Sequence, residues 1–195
     1  GKYKKFPLIG TLLMSLGLLL MTRLGIETPY WQLSIYAIIV GMGLGLSMQT
    51  IVIALQNSVE MRDMGVATSS NTFFRSLGSV FGTAFFGSVL TNRLAHYMQS
   101  GFADLAKSNP AAASAIDPSQ MKSLANNSTV IHQLPADIQH VVLQAFVNSF
   151  HVVFYAAAPI TALGFFLALM LKEVPLRTNA DYQKAKEDAA GESLG

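Results

Sequence analysis

The sequence has no cysteine, a single tryptophan and few charges: Asp, Glu, Lys and Arg make up 12% of its 195 residues. Without Cys there are no disulfides, thiolate metal sites or thiol nucleophiles. A net charge of +2 provides no basic field for holding nucleic acid. Patterns of the G-x-S-x-G or H-E-x-x-H type are missing, and Asp, Glu and His do not cluster, so neither a catalytic nor a metal site is expected. Soluble proteins carry about 25% charged residues. Half that share, with 51% hydrophobic residues and a mean hydropathy of +0.41, argues against an aqueous fold.

The missing charges are missing in runs. No Asp, Glu, Lys or Arg lies between Lys5 and Arg23, between Glu27 and Glu60, or between Asp137 and Lys172, and Arg75 stands alone between Asp63 and Arg93. Each run is near or above the roughly 18 to 20 residues that cross a bilayer as a helix. A transmembrane barrel needs alternating strand formers, whereas these runs are rich in Gly, Ala and Leu. The expectation is an all-α integral membrane protein with four transmembrane helices, over residues 6–22, 31–59, 65–90 and 138–171. The first is short, about 26 Å at the helical rise, so Lys4, Lys5 and Arg23 are expected to snorkel. The chain opens Gly1-Lys2 without an initiator Met or a signal cleavage site, which suggests a longer parent.

Orientation follows from Lys and Arg. Four spans put both termini on one side, with Lys2, Lys4, Lys5, Arg62, Lys172, Arg177, Lys184 and Lys186. Only Arg23, Arg93, Lys107 and Lys122 fall on the other. Both termini are therefore expected in the cytoplasm, with a tail over 172–195. Residues 91–137 are expected as an extracytoplasmic loop. In it Arg93 to Phe102 continue the third span as an interfacial amphipathic helix, and Pro135 and Asp137 mark the start of a lead-in to the last span.

Few residues could carry chemistry. Gly41-Met42-Gly43-Leu44-Gly45 is not a nucleotide-binding turn, because its spacing is G-x-G-x-G and its flanks are apolar for too long. Gly41 and Gly45 share a helical face and suit close helix packing. Gln49 and Gln56, seven residues apart, share another face, either as interhelical glue or as the lining of a substrate path. Arg75 is the most informative residue, since a charge near a span centre costs about 2.5 to 3.5 kcal/mol on insertion scales. Asn71, Arg75, Gly78 and Gly82 follow one helical face, so Arg75 is expected to point into protein or a cavity. It acts there either as a latch to carbonyls or a carboxylate on another helix, or as a substrate or coupling contact. No span contains Asp or Glu. His96, His132, His140 and His151 read as solvated or packed side chains, although His titrates near neutrality. Pro159 is expected to kink the last span.

Three stretches together resemble the C-terminal region of fourteen-helix drug:proton antiporters of the major facilitator superfamily. They are Gly41 to Ser47 continuing through Gln56-Asn57-Ser58-Val59, Arg62 to Ser70, and Phe74-Arg75-Ser76-Leu77-Gly78. The opening Gly1 to Pro7, the long loop before the last helix and the ending Leu171 to Arg177 fit the same pattern. The resemblance covers essentially the whole chain, as helices eleven to fourteen, part of the C-terminal bundle. It implies a cell-membrane carrier, not an enzyme, exporting small amphipathic or cationic compounds by alternating access. It implies no cofactor, the proton gradient serving as energy source. The N-terminal bundle, with the antiporter motif and the membrane-embedded acids, would lie outside this chain. The alternative reading is a self-contained four-helix membrane scaffold or accessory subunit.

Overall fold

A computed structural model of the chain describes residues 4–110 and 135–170. The start, the middle of the long loop and the tail expected over 172–195 lie outside the described residues. Every regular element among those described is helical: α1 (Lys5–Met21), α2 (Tyr30–Ser58), a short 3-10 turn (Met61–Asp63), α3 (Met64–Ser108) and α4 (Ala136–Met170). In lipid a helix satisfies every backbone donor and acceptor within itself. Several hydroxyl side chains in these apolar runs follow the same rule. Thr11, Thr50 and Ser149 each donate to the carbonyl four residues back, at 2.7, 2.7 and 2.6 Å.

The helices differ greatly in length. The 17 residues of α1 rise about 25 Å, whereas the 45 of α3 rise about 68 Å. Three helical stretches, α2, α3 with its preceding turn, and α4, are long and apolar enough to cross a membrane; α1 is apolar but shorter. This agrees with the all-α membrane class. Helix α3 runs unbroken to Ser108, so residues 93–102 continue the third span as expected, and the helix goes six residues further. Likewise α4 begins directly after Pro135 and passes through Pro159 without losing helical assignment.

Helix α1 lies between α2 and α4, while α3 reaches the rest chiefly through α4. The α1–α2 seam is antiparallel and made of small residues. A methyl added at Gly43 would sit 2.5 Å from the Gly10 carbonyl oxygen and 2.7 Å from the backbone nitrogen of Met14. At Gly17 it would sit 2.5 Å from a methyl of Val40. Pro7, Gly10 and Gly17 on α1, and Gly43, Ser47 and Thr50 on α2, are buried. Against α4, the Ser15 hydroxyl donates to Thr161 Oγ1 at 3.0 Å. One level away His151 Nε2 lies 2.6 Å from the Leu24 carbonyl oxygen. A carbonyl only accepts, so Nε2 carries the proton in that bond.

The large buried side chains are elsewhere. Leu94, Met98, Phe102 and Leu105 of α3 interlock with Ile138, Val142 and Ala145 of α4, all at most 9% exposed. Gly101 lies under Val141, and Asn109 Nδ2 donates to Asp137 Oδ2 at 3.1 Å beside the end of α3. The polar ends of α3 and α4 thus form an antiparallel two-helix extension with its own apolar core.

Candidate functional site

The polar residues singled out from the sequence fall on the second half of α2 and the first half of α3. By the helical rise, Gln49 stands about 14 Å and Arg75 about 16 Å from the α2–α3 turn, close to the same level. Gln49 and Arg75 are exposed, and Gln56 and Asn71 are half-buried. None of the four hydrogen bonds or pairs with another described residue. Asn57, beside Gln56, is buried and has a partner. These side chains are therefore not brought together, and most of the α3 surface from Val66 to Phe85 is open, including Phe73, Phe74 and Phe81 at 61%, 67% and 67% exposure.

The glycines divide in the same way. A methyl at Gly41, Gly45, Gly78 or Gly82 would meet nothing within 4 Å, so none of them makes a close approach to a described helix. The α1–α2 contact is made by Gly43, which lies about 200° around the helix from Gly41 and Gly45. The pattern that would have singled it out is the 3-4-3 spacing of Val40, Gly43, Ser47 and Thr50, matched by Pro7, Gly10, Met14 and Gly17 on α1. His151 and the Ser15–Thr161 pair were also not legible as contacts, since each depends on a residue more than a hundred positions away.

Two clefts among the described residues lie in different parts of the molecule, and none of the four polar candidates lines either. One, of about 530 Å³, runs along the two-helix extension past Tyr97, Asp104, His140, Gln144 and Asn148. The other, of about 350 Å³, is apolar, between Met21, Leu24, Leu33, Phe150 and Phe154 with His151 at its wall. Among the described residues no group of three or more His, Asp or Glu is placed to hold a metal ion. Nothing in the arrangement activates a nucleophile or moves a proton between described groups. What it offers is an unpartnered guanidinium and three unpartnered amides on open helix faces.

Comparison with known proteins gives these faces a context. The chain is 40% identical over 176 residues, 90% of its length, to an uncharacterized MFS-type transporter of Mycobacterium tuberculosis. It is 32% identical over 93% of its length to the multidrug transporter protein MdtP of Bacillus subtilis. It is 25% identical over its full length to a tetracycline resistance determinant of Streptomyces rimosus. The chain spans 24%, 36% and 60% of these three relatives, in that order. No family model matches it, and no solved structure matches it significantly. The resemblance drawn from the sequence is borne out, and the relatives are named as transporters or resistance proteins rather than enzymes.

Proposed function

We propose that this chain, akin over nine-tenths of its length to a stretch of MFS-type transporters, is the C-terminal four-helix part of a longer secondary exporter in the cell membrane. Its parent would expel small amphipathic or cationic compounds, driven by the proton gradient and working by alternating access. The observation that carries this reading is the alignment itself: it covers 90% of this chain and leaves about three-quarters of the mycobacterial relative unmatched. The substrate class is taken from the names of the Bacillus and Streptomyces relatives. The excess of Lys and Arg on the terminal side supports cytoplasmic termini, with the two-helix extension on the opposite side.

The open faces support the same reading. An isolated four-helix scaffold would leave Arg75 and the amides of Gln49, Gln56 and Asn71 facing hydrocarbon, at a cost that only partners or a wet cavity offset. In a complete carrier they become cavity or latch residues, and Gly41, Gly45, Gly78 and Gly82 become contact points for further helices. Proton coupling then belongs to acids outside this chain, because its spans contain none. The test is drug accumulation in a susceptible bacterium expressing the complete protein, with and without a protonophore. Lower accumulation that the protonophore abolishes is expected. Unchanged accumulation of a panel of cationic dyes and tetracycline-like compounds, with the protein present in membranes, would overturn the proposal.

A further inference from the structure

We infer that the open face of α3 bearing Asn71, Arg75, Gly78 and Gly82 is the docking surface for a transmembrane helix of the parent protein that carries a carboxylate, with Arg75 as its ion-pair partner. The inference deepens the transporter reading and rests on it for the existence of further helices. Arg75 is eleven residues past the start of α3 at Met64, about 16 Å along the axis and so near the middle of a hydrocarbon layer about 30 Å thick. Snorkelling serves basic residues near helix ends. A guanidinium at the centre needs an acceptor within the protein, and no described residue supplies one. The most apolar 18-residue stretch of this helix has none of its residues buried, so the described helices do not cover it.

The shape of the face argues for a helix. Gly78 and Gly82 lie one and two turns beyond Arg75 on its face, and a side chain at either would be unopposed among the described residues. This chain's packing therefore gives no reason for glycine there, whereas close approach of another helix backbone does. Charge decides what that helix carries. A second copy of this chain has no acid between Asp63 and Asp104 on α3, none within α1 or α2, and none in α4 beyond Asp137. A symmetric dimer through this face would set one Arg75 against another. The partner is thus a different segment, with Asp or Glu at the level of Arg75, where the pair neutralises both charges and the planar fork can bind two oxygens.

The experiment uses the complete protein in a cysteine-free background, to which this chain contributes no cysteine of its own. Gly78→Cys, which leaves Arg75 intact, is combined with a single cysteine on each helix that bears an intramembrane acid, and mild oxidation reads proximity. A cross-link to one acid-bearing helix is expected. Arg75→Glu should lower membrane abundance and efflux about tenfold or more, and changing the acid of the cross-linked helix to Arg should restore abundance. Cross-links only between two copies, or to none of the acid-bearing helices, would overturn the inference. So would failure of every acid-to-Arg change to rescue Arg75→Glu, or normal abundance and efflux in Arg75→Ala. A complete protein that exports nothing, yet shows the cross-link and the rescue of abundance, keeps the pairing and removes the transporter reading.

Discussion

The α1–α2 seam and the α3–α4 extension are both antiparallel helix pairs, and both place contacts at alternating spacings of three and four. In the first the contact positions of α2 hold Val40, Gly43, Ser47 and Thr50; in the second those of α3 hold Leu94, Met98, Gly101 and Leu105. The geometry is shared and the chemistry is not. In water, burying a Leu, Ile, Met or Phe side chain gains about 1.5 to 3 kcal/mol, so the extension closes over a core of large side chains. Lipid chains are as apolar as Leu, so that gain vanishes in the membrane and helices associate by close backbone approach. A change in contact residues from small to large is what helices passing from lipid into water would produce.

The sharpest way to break this comparison is to put a large residue into the membrane seam. Gly43→Leu should cost about 3 kcal/mol or more, because its neighbours are the Gly10 and Met14 backbones and cannot give way. The readout is loss of folded protein in membranes, whereas Gly41→Leu should leave the α1–α2 seam intact, as shown by unchanged cross-linking between α1 and α2. Next, Ile138→Ala, at a fully buried position of the extension, should cost about 2 to 3 kcal/mol. Hydrogen exchange should then speed up at residues 94–105 and 138–145 while α1 and α2 stay protected. Equal acceleration in both regions would mean that the two seams are one cooperative unit.

Smaller effects sharpen the contrast at polar contacts. His151→Phe keeps an aromatic wall in the apolar cleft but removes the bond to the Leu24 carbonyl, and should cost about 1 kcal/mol. A lowered midpoint of thermal aggregation in detergent would register it. Ser15→Ala, which breaks the Ser15–Thr161 bond inside the α1–α4 contact, should cost only about 0.6 kcal/mol, the usual worth of such bonds between membrane helices. A shift larger than that of His151→Phe would show that the membrane contacts depend on hydrogen bonds more than on backbone fit.

Some of this organisation was visible along the chain and some was not. The gaps between charges gave the helices, since a run without Asp, Glu, Lys or Arg needs no partner to be recognised. The Gly41–Gly45 pair drew attention as a packing motif, yet the α1–α2 seam uses Gly43. A glycine pair shows that close approach is possible on its face, but only the neighbouring helix decides which face is used. The extension was foreseen as a continuation of the third span, but only as far as residue 102. Its core depends on Ile138, Val142 and Ala145 arriving from the far side of the long loop.

By itself, then, the sequence determined that the chain is helical and apolar, where its helices run, and that one charge, Arg75, is stranded in a span. These are local properties, set by hydropathy over about 20 residues and by the requirement that backbone groups in lipid be bonded internally. Tertiary structure decided which glycine faces which backbone, that His151 holds the chain beyond α1, and that α3 continues into a helix pair with its own core of large side chains. It also left the Arg75 face open. Each of these depends on residues far apart in the chain meeting in space, where shape and solvent select among faces that the sequence presents as equals.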